Sequence, residues 1–263
     1  DQPLMVEKEI RYHGEPLCLI AAADRTTLKK AIKIVEFDIK EEESVLTIHD
    51  SIRAEKIVNK RFKNNIFQAY PVKRGDVKKI FEKADLVIEN EYTTNYQEHA
   101  YIEPQSMIVK PDLNGIYSVY GSMQCPFYVQ DGVATVLGIP MGRVKVSQMT
   151  VGGAFGGKED VPSIIAEIAG LLALKTERPV KYTMNREEDM RVMSKRHPSY
   201  TKYRSAFSKD GKLLAVDVDF YLDAGAYSTL SPIVLWRGAI HATGPYTCEA
   251  VDVRSYAVAT NKV

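Results

Sequence analysis

Residues 151–159 read VGGAFGGKE, four glycines in nine positions closed by a lysine and a glutamate. The run follows an apolar-alternating stretch, RVKVSQM (143–149), and precedes SIIAEIAGLLALK (163–175), whose Ile164, Ile165, Ile168, Leu171 and Leu172 recur at helical spacing. Strand, glycine turn and helix in that order aim backbone amides and a helix N-terminus at whatever occupies the turn. Gly152, Gly157 and Lys158 satisfy G-x-x-x-x-G-K, but a triphosphate loop needs Ser or Thr next, and here Glu159 follows. A carboxylate there would repel the terminal phosphates. Two readings stay open from spacing alone: a cradle for an oxyanion, or a turn whose glycines allow tight strand–helix packing with Glu159 favoured by the helix dipole.

The chain around this turn has 263 residues, 45% hydrophobic and 26% charged, enough to bury a core. Its formal net charge of +1 gives no reason to expect nucleic acid or an anionic membrane as partner. The longest apolar run, IIAEIAGLLAL (164–174), is interrupted by Glu167 and is too short to span a bilayer. Cys18, Cys125 and Cys248 lie far apart, which argues against a disulfide framework or zinc site and suits a reducing cytoplasm. No targeting segment is legible at Asp1, and both ends read as those of a piece of a longer or processed chain.

The residues before 72 suggest a small α+β unit. His13-Gly14 forms a turn before a buried strand in LCLIAAA, Asp24 N-caps a helix carrying Leu28, Ile32 and Val35, and EESVLTIHD (42–50) supplies another strand. RFKNNIFQAYPVKRGD (61–76) reads as a linker. Beyond it, SMIVK and IYSVYGS flank the turn PDLNG, and CPFYVQDGVATVLG is a helix with Pro126 in its first turn and Gly138 past its end. YTKYRSAF and LLAVDVDFYLDAG form a second hairpin, with Asp217, Asp219 and Asp223 on its solvent face.

VGGAFGGKE, with GSMQCPF (121–127) upstream and RHP (196–198) and LSPIVLWRGAIH (230–241) downstream, resembles the molybdenum-binding subunit of the xanthine dehydrogenase family of molybdenum hydroxylases. The pairing of G-x-x-Q with GG-x-FGGK about thirty residues later is the specific part. The resemblance implies an α+β fold: residues 1–72 as the end of an α/β-hammerhead domain, residues 73–263 as the first molybdopterin-binding domain. It implies a molybdenum–pterin cofactor, molybdopterin alone or as a cytosine dinucleotide, which hydroxylates an electron-poor carbon with water-derived oxygen.

On that resemblance Gln124 donates its side-chain amide to the apical oxygen of the metal, and the backbone amides of Phe155 and Gly156 approach the same centre, with Gly153 beside them. Glu159 contacts a ring nitrogen of a purine, and Arg237 stabilises the anion that forms on its other side. Aldehyde-oxidising relatives typically carry apolar residues at these two positions, so xanthine or hypoxanthine is the implied substrate, with a nicotinate-like ring or an aldehyde as alternatives. A scaffold that keeps the fold without the pterin is a further alternative. His99 and Cys125 read as structural, and Glu98 and Glu103 as local network residues. The A-F-R-G-F-G segment and the general-base glutamate of the family have no match, so activity is expected only with the rest of the molybdenum subunit and with iron–sulfur and FAD subunits.

Overall fold

The hairpin around PDLNG forms because Asp112 accepts the amides of Asn114 and Ile116 at 2.9 and 2.8 Å, closing a turn that Gly115 completes at φ +73°. A computed structural model describes residues 1–263. Along the chain its elements are α1 (Arg25–Lys33), α2 (Ile48–Arg53), β1 (Ile66–Arg74), α3 (Val77–Phe81), β2 (Leu86–Thr94), β3 (Ser106–Pro111) and β4 (Tyr117–Gly121). They continue with α4 (Pro126–Leu137), β5 (Val144–Gln148), α5 (Val161–Thr176), β6 (Val180–Thr183), α6 (Arg186–Val192), β7 (Ser199–Phe207), β8 (Leu213–Asp223), α7 (Ser231–Ile240) and β9 (Ala250–Val258). The fold is α+β, and it divides into two compact units.

One unit, Pro3–Glu42 with Glu98–Lys195, is built on a sheet of order β5-β4-β3-β6, parallel between β4 and β5 and antiparallel elsewhere. Met107 and Val109 of β3 and Tyr117 and Val119 of β4 alternate inward, as period-two strands with one covered face must. Their cover is α4 and α5, through Val129 and Val133 and through Ile165 and Ala169. The face of α5 that is buried runs through Val161, Ile165, Ile168, Ala169 and Ala173. The expected Ile164, Leu171 and Leu172 are only half-buried, because small alanines allow α5 to lie close to the sheet and to α4.

The other unit, Asp1–Gln2, Glu43–Gln97 and Arg196–Val263, carries a sheet of order β1-β9-β8-β7-β2, with β8 and β9 parallel and the remaining pairs antiparallel. Helix α7 turns Ser231, Leu235 and Ala239 inward. Arg204 on β7, Asp217 and Asp219 on β8 and Arg254 on β9 form a cross-strand charge ladder, with Arg254 2.7 Å from each aspartate.

Four local expectations are corrected. LCLIAAA (17–23) is irregular and not buried, since no strand of either sheet runs beside it to take its hydrogen bonds. EESVLTIHD is not a strand: Thr47 caps α2 by accepting from the Asp50 amide at 3.0 Å, which turns its second half helical. The linker is largely β1, recruited by β9. Asp223 is buried, not solvent-facing: Thr260 donates to it at 2.6 Å and Lys262 lies 3.4 Å away, because the chain after β9 folds over the end of β8.

Candidate functional site

The glycine turn and the segment that grips it all belong to the unit with the four-stranded sheet. Where β5 ends, Met149 donates to Gly121 O at 2.8 Å and Gln148 Nε2 to Met123 O at 2.7 Å, so the loop leaves the sheet beside the end of β4. It re-enters regular structure at Asp160, whose carboxylate accepts the Val161 amide at the start of α5 at 2.9 Å. Between these points Gly153, Phe155 and Gly156 have φ of +100°, +55° and +94°. For phenylalanine this left-handed backbone costs on the order of 1–3 kcal/mol and persists only where the surroundings impose it. Phe155 lies at the tip, 76% exposed.

Two residues outside the loop impose that shape. Gln124 donates its backbone amide to Lys158 O at 2.7 Å, and its Oε1 accepts the Gly156 and Lys158 amides at 3.1 and 3.2 Å. With donors against one end of the side-chain amide, that end is the oxygen. The exposed Nε2 keeps both hydrogens without an acceptor in the chain. Glu103 mirrors this at the other end of the loop: its amide donates to Gly152 O at 3.2 Å and its Oε2 accepts from Gly152 N at 2.8 Å. The approach is so close that a Cβ on Gly152 would lie 2.5 Å from Glu103 Cβ.

Lys158 joins the two grips. Its side chain is fully buried, with Nζ 2.8 Å from Glu103 Oε2, 3.1 Å from Ser122 Oγ and 4.8 Å above the Tyr101 ring. Beneath it Tyr101 donates to Asp189 at 2.7 Å, and Gln105 donates to Tyr101 Oη at 3.0 Å and to Gly157 O at 2.8 Å. Burial, reinforced by Asp189, pushes the Tyr101 phenol well above its ordinary range, so it remains a donor.

Burial works to raise the pKa of Glu103, but hydrogen bonds from Lys158, Gly152 and Ser122 outweigh it and leave the carboxyl below its usual 4.5. Because the folded value is the lower one, this contribution is complete above the unfolded pKa and is lost as pH falls through the folded value. Hydrogen exchange at Gly152, corrected for intrinsic rate, is therefore expected to stay level down to about pH 5 and to rise below it. Exchange indifferent to acid would show that the carboxylate charge does not hold the loop.

The remaining expected residues separate cleanly. Phe155 has a free amide, whereas the Gly156 amide is spent on Gln124, so Phe155 N and the Gln124 Nε2 are the donors left unpaired within the chain. Glu159 follows the loop half-buried, and Arg237 lies on the exposed face of α7 in the other unit, its guanidinium unpartnered within the chain. Burial lowers the pKa of His99 and raises that of the Cys125 thiol, which the charges of Glu159 and Asp160 push further up. Glu98 pairs with Lys195 at 2.9 Å and Glu103 with Lys158, both as network residues. No group of three His, Cys, Asp or Glu side chains is placed to hold a metal ion. The roles of Lys158, Tyr101, Gln105 and Asp189 were not legible in the sequence.

A family model described as molybdopterin cofactor-binding domain matches residues 58–263. The chain belongs to that family. It is similar, at 34% identity over 99% of its length, to the nicotinate dehydrogenase large molybdopterin subunit of Eubacterium barkeri. It is 31% identical over 99% of its length to a probable xanthine dehydrogenase subunit of Bacillus subtilis. It spans 61% of the first and 35% of the second. Among solved structures it superposes on the aldehyde oxidoreductase of Desulfovibrio desulfuricans with a TM-score of 0.92 at 24% identity, covering all of this chain and 29% of that one. The quinoline 2-oxidoreductase of Pseudomonas putida 86 gives 0.88 at 23% identity, over 99% of this chain and 34% of that one. The chain is thus a molybdopterin-binding domain of the molybdenum hydroxylase family, and the names of its relatives carry different substrates.

The loop's donor set fits such a cofactor. Two N–H groups, Gln124 Nε2 and Phe155 N, have no acceptor within the chain, and Gly153 and Gly156 present no side chain to keep an anionic oxygen away.

Proposed function

We propose that this chain is part of the molybdenum-cofactor-binding catalytic subunit of a hydroxylase that oxidises a nitrogen heteroaromatic, a purine such as xanthine or hypoxanthine. One observation carries the reading: the acceptor end of the Gln124 amide is saturated by the loop and its donor end is left free. The bound cofactor supplies the oxygen transfer and two-electron chemistry. Gln124 and Phe155 hold hydrogen-bond donors against an oxygen atom of that group, Gly156 fixes Gln124, and Gly153 keeps the approach open. Glu159 accepts from a ring N–H of the substrate. Arg237, whose guanidinium is unpartnered within the chain, binds an exocyclic oxygen and stabilises negative charge on the ring. Residues 1–72 are the end of a hammerhead-like domain in this reading, and 73–263 the first molybdopterin-binding domain.

The chain spans 61% and 35% of the two relatives above, so the proposed activity belongs to a larger assembly. That assembly comprises the rest of the molybdenum subunit with iron–sulfur and FAD subunits that carry electrons away, in the cytoplasm. No helix is long and apolar enough to cross a membrane. A second reading, hydroxylation of a nicotinate-like ring, is favoured by the 34% identity to the nicotinate dehydrogenase protein. Arg237 would then meet a carboxylate in place of an exocyclic oxygen.

The test is the molybdenum and pterin content of the complete protein purified with its native neighbouring polypeptides. About one of each per chain, with turnover of xanthine or hypoxanthine, is the expected result. Turnover of nicotinate alone would favour the second reading. Neither metal nor pterin in a folded complex would leave a scaffold and overturn both.

A further inference from the structure

We infer that Lys158 and Glu103 are a positioning pair that sets the glycine loop, and through it the Gln124 amide, against the cofactor; the inference rests on the function proposed above. Lysine is almost never fully buried unless its charge is answered. Here the side chain has no exposure at all, and each of its three ammonium directions has an occupant: the Glu103 carboxylate, the Ser122 hydroxyl and the face of Tyr101. An apolar side chain could fill the same space without needing these partners. The charge is useful because of what Glu103 does with its other bonds.

Glu103 Oε2 takes the Gly152 amide at the start of the loop and Lys158 Nζ from its end. The backbone of the same lysine gives Gln124 a donor at its N–H and an acceptor at its carbonyl oxygen. One ion pair therefore closes the loop across its base, and the closed base presents Gln124 in a single orientation. The left-handed Phe155 lies midway between these anchors, and no side chain of its own reaches down to hold it. Neither residue touches substrate or cofactor in this account. They act through the backbone of the loop.

The experiment uses the complete protein with its native neighbouring polypeptides and compares wild type with Lys158→Met, Glu103→Ala and Glu103→Gln. Hydrogen exchange of residues 151–158 in the cofactor-free protein reads the loop itself. Molybdenum content, the Mo(V) paramagnetic resonance spectrum and the division of any loss between kcat and KM read its consequence. Lys158→Met and Glu103→Ala are expected to speed loop exchange, to alter the spectrum, and to lower kcat per molybdenum by ~10–100-fold with KM little changed. Glu103→Gln, which can still accept from Gly152 and Lys158 but no longer answers the buried charge, is expected to fall between Glu103→Ala and wild type in both.

Glu103 is partly exposed, so Glu103→Ala remains informative if Lys158→Met does not fold. Loop exchange, spectrum and kcat all at wild-type values in Glu103→Ala would overturn the pair. Equal loss in Glu103→Ala and Glu103→Gln would overturn the hydrogen-bonded clamp. A wild-type complex without molybdenum would instead sink the proposed function, and loop exchange in the same protein would still decide whether the pair holds the loop.

Discussion

Replacing Gln124 by Glu is expected to lower turnover per molybdenum by ~10²–10³, roughly 3–4 kcal/mol of transition-state stabilisation, while leaving the glycine loop in place. The substitution separates two jobs of one side chain. A carboxylate at position 124 can still accept the Gly156 and Lys158 amides that now bind Oε1, so the grip on the loop survives. What disappears is the Nε2 donor, replaced by an oxygen that repels the oxygen it should bind. Gln124→Ala would lose grip and donor together and could not tell them apart. The measurements are steady-state kcat at saturating substrate and hydrogen exchange at the two loop amides. Unchanged kcat with intact molybdenum would remove Gln124 from the catalytic machinery.

Arg237→Met should lower kcat/KM for xanthine by ~10²–10³ and leave an aldehyde substrate near its wild-type rate. An aldehyde has neither the exocyclic oxygen nor the ring on which negative charge develops, so the guanidinium has nothing to offer it. Stability should barely move. Leu235 and Ala239 anchor α7 on its buried side, while Arg237 lies on the exposed face, where substitutions usually stay within about 0.5 kcal/mol. Parallel substrate series on the purified complex give the answer. Equal losses on both substrates would mean that Arg237 does not read the substrate. A loss confined to nicotinate would transfer the residue to the second reading.

Much of the fold was legible where a local rule is strong. Asn114 and Gly115 announce the first hairpin, Pro126 and Gly138 bracket α4, and SKDGK joins β7 to β8. Each signal is satisfied by neighbours a few residues away. The errors fall where a distant partner decides. Polar RFKNNIFQAYPVKRGD became a strand because β9, far along the chain, offers it a ladder. The apolar LCLIAAA found no such ladder and stayed irregular. Asp223 read as solvent-facing from alternation, yet Thr260 and Lys262 return to cover it.

By itself the sequence determined the loop and its family: four glycines around Phe155, Glu159 where a triphosphate loop needs a hydroxyl, and Gln124 a fixed distance upstream. The loop's freedom and its unsuitability for a triphosphate follow from backbone and charge, which residue types carry with them; the family follows from the resemblance of the paired motifs. The tertiary structure alone decided which amides are spent and which are free. Gly156 gives its N–H to Gln124 and Phe155 keeps its own, and Lys158, unremarkable in the motif, buries its charge against Glu103. Hydrogen-bond saturation and the answering of a buried charge depend on groups about fifty residues apart meeting within 3 Å, and no local rule of spacing contains that meeting.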